Sequence, residues 1–418
     1  MVFDTLFKCD VCDDTVFRLR IQCDDSIRQY SLPLSINCPV CGTDINLTYS
    51  GSKGILPKEY NVEDFNIEHY EKKYDVPYSP QLPILSSESV VPYFALQLSP
   101  YLSLFAAYRP EIISKHAIQA KTFLDKIYPY RHAIKGLLPI YKKGNIKAFS
   151  KKLAMEEKSK HIITFTSIFF CRDALFDLIR TAYNTIAPTE YIRQIRQPYI
   201  DTIKRDLIFQ NATMILPKLK EVIDLHEWQS KTLNWIGEMV NKFEKYLPSL
   251  FYLSVGDFKG HHTPNAIINS ISFDESHNDY DDSFYYMKEI LPLLVGLSNW
   301  GLTGDFNEFP NKNGGMKGIK NVKGYSEIPE GLMLDKISDY PEVLSFLCEG
   351  INTDIRNGIA HGRFNIDPKT QKIIFYPKAN NNVYHYDIQL IDMCYLTVIN
   401  FLHIIEFNLF LEELKKHK

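Results

Sequence analysis

The segment LIDMCYLTVINFLHIIEFNLFLEELKK, residues 390–416, places apolar side chains on most of the surface of a predicted helix. A helix that is apolar nearly all round is buried in the core of a protein. The segment therefore predicts a long core helix at the end of a mainly α-helical chain. Within it, His403 is predicted to be a core histidine.

Amphipathic helices are predicted before this segment, between residue 91 and about residue 256. Apolar residues recur there at positions i, i+3 and i+4, as they do on the buried face of a helix. The clearest stretches are ISKHAIQAKTFLDKIYPYRHAIKGLL, CRDALFDLIRTAYNTI, YIDTIKRDLIFQNATMILPKLKEVI and WQSKTLNWIGEMVNKFEKYLPSLFYL. They indicate a helical middle domain, residues 91–264, without a fixed internal repeat.

The last 154 residues, 265–418, are predicted to form a second helical domain. A helix over PEVLSFLCEGINTDIRNGIAHG is followed by the strand-like segments RFNID, KIIFYP and NVYHYD. Their alternating side chains, with a turn at DPKTQ, predict a β-hairpin inserted before the final helix.

Two Cys-x-x-Cys pairs lie near the N-terminus, Cys9 with Cys12 and Cys38 with Cys41. The sequence between the pairs alternates as strands do, and a glycine follows the last cysteine. Four thiolates at this spacing can complete a tetrahedral shell around Zn²⁺. Residues 1–50 are therefore predicted to be a small β zinc ribbon. Its zinc is expected to be structural, because a module of this size has too small a core to fold without a stabilising metal or cross-link.

The other cysteines are predicted not to bind metal. Cys23 lies on the strand between the two pairs and is expected to be a spare buried thiol. Cys171, Cys348 and Cys394 lie in apolar helical sequence, where free cysteines behave as small hydrophobic residues.

Several polar segments are predicted to be loops. Residues 51–90 are rich in Pro, Ser, Tyr and acidic residues and are expected to be a connector with little regular structure. The adjacent His261 and His262 are expected to be loop residues without ligands. A later Gly/Lys-rich loop contains four lysines, Lys312, Lys317, Lys320 and Lys323. They are expected either to bind phosphates or to belong to a disordered insertion.

The overall composition is that of a globular protein, with 45% apolar and 23% charged residues. The net charge of −3 does not by itself indicate a nucleic-acid-binding protein. Residues 111–160 are locally basic, with twelve Lys and Arg against four Asp and Glu, which fits a solvated helix face or a track for phosphates. No apolar run is long enough for a membrane span and no signal peptide is evident, so a cytoplasmic protein is expected.

The stretch DIRNGIAHGRF, residues 354–364, contains a candidate catalytic cluster. On a helix, Asn357 and His361 lie about 40° apart, and the long side chain of Arg356 reaches the same space. Histidine can transfer the proton of a ribose 2′-OH, and arginine can stabilise the extra charge on a phosphate in the transition state. These residue types suit RNA cleavage without a metal.

Two glycines next to this cluster, Gly358 and Gly362, form a stripe without side chains. The stripe suggests the close approach of a helix, a second subunit or a phosphate backbone. One histidine cannot easily act as both acid and base, and a two-fold dimer would supply the second. The alternative is an ordinary helix C-terminus, in which Gly362 is the C-cap and the cations complement the helix dipole.

The segment RNGIAH resembles the signature of the HEPN superfamily, which has an arginine, a polar residue directly after it, and a histidine after four to six intervening residues; Arg356, Asn357 and His361 fit it with four intervening. The hairpin and last helix resemble the abortive-infection branch of these proteins, over roughly residues 282–418. The resemblance implies a dimerising helical bundle that acts as a metal-independent endoribonuclease, often a toxin in phage defence. It implies that Arg356 and His361 are catalytic and that Asn357 supports them.

Three functions are therefore compared. The first is a cytoplasmic RNA endonuclease that leaves 2′,3′-cyclic phosphate ends and is controlled by an antitoxin or a phage-derived trigger. The second is a non-catalytic adaptor that binds RNA or a protein partner. The third, a metal-dependent nuclease, is disfavoured because the sequence contains no convincing cluster of carboxylates.

Overall fold

The computed structural model describes most of the chain and confirms that it is mainly α-helical. The described residues are 2–23, 27, 29–62, 64–86, 88–93, 100–156, 165, 167–201, 205–255, 266–310, 316–337, 340, 348–378 and 384–418. His261, His262 and Lys312 lie outside them. Lys317, Lys320 and Lys323 are exposed.

The described helices and strands are as follows. The helices are α1 Pro100–Ala107, α2 Pro110–Lys126, α3 Arg131–Lys142, α4 Ile146–Glu156, α5 Ile168–Ile186, α6 Thr189–Asp201, α7 Arg205–Gln210, α8 Ala212–Val222, α9 Leu225–Lys242, α10 Phe251–Val255, α11 Phe273–Thr303, α12 Val322–Ser326, α13 Glu330–Ile337, α14 Thr353–Ala360 and α15 Leu390–Lys416. The strands are β1 Val2–Lys8, β2 Thr15–Gln22, β3 Ser31–Asn37, β4 Asp44–Ser50, β5 Gly54–Leu56, β6 Lys72–Tyr78, β7 Ile84–Leu85, β8 Val91–Pro92, β9 Ala266–Ile267, β10 Phe364–Asp367, β11 Lys372–Phe375 and β12 Tyr386–Gln389.

The chain forms two compact units, each built from three separate segments. The first unit contains Met1–Tyr128, Lys242–Tyr280 and Asp354–Val398, and the second contains Pro129–Asn241, Asp281–Thr353 and Ile399–Lys418. The division into four successive domains stays a prediction. The units show that residues distant in sequence pack together.

The first unit contains a four-stranded sheet in the order β1-β2-β6-β8. Strand β6 runs parallel to β2, with Leu19 opposite Val76, and pairs antiparallel with β8. A second sheet, β3-β4-β5, is antiparallel. The expectation that residues 51–90 have little regular structure is therefore wrong, because β5, β6 and β7 all lie within that range.

An ion pair in this sheet joins strands β2 and β6 and accounts for a charged residue within β6. Asp75, which breaks the apolar pattern of β6, has a fully buried side chain. Its two carboxylate oxygens accept hydrogen bonds from Nε and Nη2 of Arg18 on β2, at 2.7 and 2.8 Å. The Arg18 guanidinium also lies 4.5 Å from the ring centre of Tyr93. A buried charge paired in this bidentate way is tolerated in a strand.

The buried side chain of Asn269 connects distant segments of the first unit. Its Nδ2 donates to the carbonyl oxygens of Pro77 at 3.0 Å and Ser89 at 3.1 Å. The backbone carbonyl oxygen of Asn269 accepts a hydrogen bond from the backbone N–H of Ser35 at 2.8 Å. Asn269 therefore contacts strands β3 and β6 and the segment before β8.

The predicted hairpin is confirmed as the antiparallel sheet β10-β11-β12. Its first turn ends at Gln371, a buried residue with φ of +57°. The Gln371 amide donates to the carbonyl of Ile268 at 2.8 Å and to Oδ1 of Asn269 at 3.1 Å. Its Oε1 accepts from the Ile268 N–H at 2.9 Å. The hairpin turn is thereby joined to the segment that carries Asn269.

The final helix α15 is a core element, as its sequence predicts. Among the described helices it is long and apolar enough to cross a membrane, but 94% of its most apolar stretch is buried inside the protein. His403 is fully buried, and burial lowers its pKa to about 3. In the second unit, Asn408 of α15 donates a hydrogen bond to Thr232 of α9 at 3.1 Å.

Replacing Asp75 with alanine is expected to lower the free energy of unfolding by about 3–5 kcal/mol, because the mostly buried Arg18 loses its partner. Urea denaturation of the two proteins measures this loss. The matched control is Asp4→Ala, which removes the partly exposed partner of Arg20 in the same sheet. It should cost less than about 1 kcal/mol. Equal effects of the two substitutions would contradict the assigned role of the buried pair.

Candidate functional site

The four cysteines of the two Cys-x-x-Cys pairs lie together in the first unit. Each pair occupies the turn between two strands: Cys9 and Cys12 between β1 and β2, and Cys38 and Cys41 between β3 and β4. All four sulfur atoms lie within 4.8 Å of one another, and the Cys9 and Cys41 sulfurs are 3.8 Å apart. The cysteines therefore form one cluster.

The second of these turns requires its glycine. Gly42 has φ of +75°, in the left-handed region that glycine adopts without strain. Its N–H donates to the Cys38 carbonyl oxygen at 2.9 Å, and the Cys38 N–H donates to the Thr43 carbonyl oxygen at 2.9 Å. The turn thus brings Cys41 back towards Cys38.

The spacing of the sulfurs is compatible with a tetrahedral zinc site. Zinc–sulfur bonds of about 2.3 Å imply sulfur–sulfur distances of roughly 3.8 Å, which Cys9 and Cys41 match. Cys23, also buried, is not in the cluster. It is a buried thiol outside the cluster, as predicted from the sequence.

The thiols of the cluster do not ionise equally. Hydrogen bonds with Thr43 lower the pKa of Cys41 to about 6. The hydrogen bond with Cys41 raises the pKa of Cys12 to about 12, and burial raises the pKa of Cys9. Several thiolates this close repel one another, so full ionisation of the cluster needs a cation among the sulfurs.

The candidate catalytic residues lie at the end of helix α14 in the same unit. Arg356 and Asn357 are half-buried, and Nη1 of Arg356 donates to Oδ1 of Asn357 at 3.3 Å. The N–H of His361 donates to the carbonyl oxygen of Asn357 at 3.2 Å, and the His361 side chain is exposed. Arg356 and Asn357 therefore lie in the last turn of α14, and His361 directly follows the helix with its side chain accessible to solvent.

Helix α14 ends immediately after this turn. Gly362 has φ of +58°, and its N–H donates to the Ile359 carbonyl oxygen at 3.0 Å. The Arg363 N–H donates to the Gly358 carbonyl oxygen at 2.8 Å. This pair of bonds is the Schellman motif of a helix C-terminus. The alternative interpretation of Gly362 as a helix-ending glycine is thus confirmed.

The second glycine is explained by packing within the first unit. A Cβ atom on Gly358 would lie 2.5 Å from Cδ1 and 2.9 Å from Cβ of Phe375 on β11. The interpretation of the glycine stripe as a surface for a second subunit or a phosphate is therefore wrong at Gly358, because Phe375 covers it.

Further polar and aromatic residues lie near the start of α14. The hydroxyl of Tyr384 donates to Oδ2 of Asp354 at 2.6 Å, and the Lys378 ammonium lies 4.9 Å from the centre of the Tyr384 ring. Tyr384 is exposed. Sequence reasoning does not predict Lys378 and Tyr384 as site residues. The alternating pattern of NVYHYD indicates only a strand, and the contact of Tyr384 with Asp354 joins residues 30 positions apart.

Comparisons with known proteins give no relatives. No model of a known protein family, no curated protein and no solved structure matches the chain. Functional inference therefore rests on the residues themselves.

Proposed function

We propose that the chain is a metal-independent endoribonuclease of the HEPN type, with Arg356 and His361 as catalytic residues and Asn357 supporting them. The observation that carries this proposal is the exposed His361 side chain, one helical turn beyond Asn357. Exposure suits a residue that must reach a macromolecular substrate, and an imidazole can both accept and donate a proton. The exposed Tyr384 and the nearby Lys378 add a surface for a base and a phosphate.

The proposed reaction is an internal transfer at phosphorus. The ribose 2′-oxygen attacks the adjacent phosphorus and loses its proton to a histidine acting as base. The bond from phosphorus to the 5′-oxygen breaks, and this oxygen receives a proton from an acid. The products carry a 2′,3′-cyclic phosphate and a 5′-OH, and Arg356 offsets the negative charge that develops on the phosphate.

The proposed active form is a homodimer. Base and acid are both needed in one step, and each chain supplies one motif histidine. A two-fold axis would bring together His361 of two copies. The interface between the two copies must lie away from Gly358, since Phe375 of the same chain packs on that glycine.

The proposed biological role is that of a cytoplasmic toxin or effector in antiphage defence by abortive infection. This role follows from the resemblance of RNGIAH to its superfamily. An antitoxin or a phage-derived trigger is the proposed partner that controls cleavage, and no membrane is involved in this proposal.

The four-cysteine cluster is proposed to hold one structural Zn²⁺ ion, and no metal is proposed for catalysis. The sulfur spacing supports zinc, as does the need of small β-sheets for additional stabilisation. Cys9, Cys12, Cys38 and Cys41 are the ligands.

A second candidate function is that of a non-catalytic adaptor that binds RNA or a protein partner. It is favoured by two valines at the middle of the Cys-x-x-Cys turns. Val11 is 60% exposed and Val40 is 38% exposed. Apolar side chains at the tips of two neighbouring turns suit a contact with a partner.

The substitution His361→Ala is expected to reduce RNA cleavage by the purified protein by about 10²–10⁴-fold, because it removes the group that transfers the proton. Cleavage of a labelled single-stranded RNA, with analysis of product ends, measures this. His385→Ala, at an exposed histidine outside the motif, should retain full activity. Products with 3′-OH and 5′-phosphate ends would contradict the mechanism. Absence of cleavage by wild-type protein in phage-infected cells would favour the adaptor.

The purified chain is expected to contain one zinc ion. Cys38→Ser should lower both the zinc content and the melting temperature, because it removes a ligand. Cys23→Ala, at a buried cysteine outside the cluster, should keep the zinc. Elemental analysis by mass spectrometry measures zinc in each protein. A Cys38→Ser variant that binds zinc as wild type does would contradict the assignment.

A further inference from the structure

The second unit contains a cavity of about 350 Å³ that none of the functions above uses. Its volume is within the range of small-molecule sites, about 300–1,000 Å³. Helices α3, α5, α9 and α15 contribute most of its walls. The lining residues that carry the argument are Tyr141, Lys142, Arg172, Phe176, Glu412 and Lys415.

Cations outnumber anions in the lining. Lys142, Arg172 and Lys415 face one carboxylate, that of Glu412. Lys142 donates to the carbonyl oxygen of Ser230, and no carboxylate among the described residues lies within ion-pair distance of it. Partial burial lowers the pKa of Lys142, because it disfavours the charged amine. An anion in the cavity would offset this cost.

The guanidinium of Arg172 carries a hydrogen-bond donor, Nη1, that is available to a ligand. Its Nε and Nη2 lie 3.4 and 3.3 Å from a carboxylate oxygen of Asp173, and Nε lies 3.5 Å from Oε2 of Glu412. Among the described residues, Nη1 has no hydrogen-bond partner. A guanidinium and an ammonium lining one cavity form a recognition set for a phosphate group.

Glu412 adds an acceptor to the site. The residue is only 7% exposed. Its Oε1 accepts hydrogen bonds from Gln229 and from Lys415, each at 2.8 Å. Its Oε2 is buried and receives no hydrogen bond from the described residues. This oxygen has Nε of Arg172 at 3.5 Å but no hydrogen bond within the described part of the chain, and such an acceptor in a cavity wall favours a ligand that carries a hydroxyl or amino group.

The rest of the wall is aromatic and apolar. Tyr141 and Phe176 line the cavity together with Ile168 and Leu233. Burial raises the pKa of Tyr141 to about 12, so its phenol remains protonated and neutral. Aromatic side chains of this kind provide a surface for a planar ring.

We propose that this cavity binds a mononucleotide. The phosphate contacts Lys142 and Arg172, a hydroxyl or amino group of the nucleoside donates to Glu412, and the base packs against Tyr141 and Phe176. A nucleotide combines the anion, the donor and the ring that these three sets of residues require. The proposal concerns ligand binding in the second unit and does not depend on RNA cleavage.

Isothermal titration calorimetry with the full-length chain tests the proposal, using the four 5′-ribonucleoside monophosphates as probes. At least one should bind more tightly than its nucleoside and than inorganic phosphate. Lys142→Gln should weaken that binding by about tenfold or more, since it removes a charge-assisted hydrogen bond to the phosphate. Glu412→Leu should weaken nucleotide binding more than phosphate binding, because it removes both carboxylate oxygens that accept from the nucleoside.

Lys218→Gln is the matched control, since the side chain of Lys218 on α8 is 42% exposed and pairs with Glu221 outside the cavity. It should bind the nucleotide as wild type does, and melting curves should show that all variants are folded. The proposal would be overturned if no monophosphate bound at about 1 mM, a level that corresponds to roughly −4 kcal/mol. Equal binding of phosphate and nucleotide, or unchanged binding by Lys142→Gln, would overturn it as well. Binding only of longer RNA would also overturn it, in favour of a macromolecular ligand.

Discussion

The contact between the buried amides of Asn269 and Gln371 is the constraint on which the first unit depends. Through backbone and side chain, Asn269 contacts strands β3 and β6 and the segment before β8. Gln371 attaches the β10–β11 turn to the same point. A buried amide without its partners would cost about 1–3 kcal/mol for each unsatisfied group, so these hydrogen bonds select one arrangement of the strands.

This constraint places both candidate sites in one folded unit. The turns that carry the cysteine cluster begin and end at strands β1 to β4. Helix α14, with the candidate catalytic residues, is packed against strand β11 through Gly358 and Phe375. A change at the buried amides therefore acts on the elements that hold both sites, although it touches neither.

Sequence patterns predicted the features that depend on neighbouring residues. The spacing of Cys9, Cys12, Cys38 and Cys41 is local to two turns, and the cluster follows from it. The periodic helices and the hairpin also depend on short-range patterns. The sequence around Gly362 predicts a helix end as one alternative, because glycine with Arg and His nearby is typical of helix ends.

Features that depend on distant partners could not be predicted. Strand β6 contains Asp75, and Arg18, which neutralises it, is 57 residues away. Phe375, which explains Gly358, lies on another element. The proposed ligand cavity joins Lys142 of a basic run to Glu412 of an otherwise apolar helix. In each case the structural role of the residue depends on a contact with a residue distant in sequence, and the periodicity of the sequence does not reveal such contacts.

Hydrogen exchange measured by mass spectrometry on wild type and Asn269→Ala tests the central claim, that three distant segments form one cooperative unit. The claim predicts faster exchange in β3, β6 and the β10–β11 hairpin of the variant. Helix α5 of the second unit should exchange at the same rate in both proteins and serves as the internal reference. Faster exchange confined to residues 266–271 would contradict the claim.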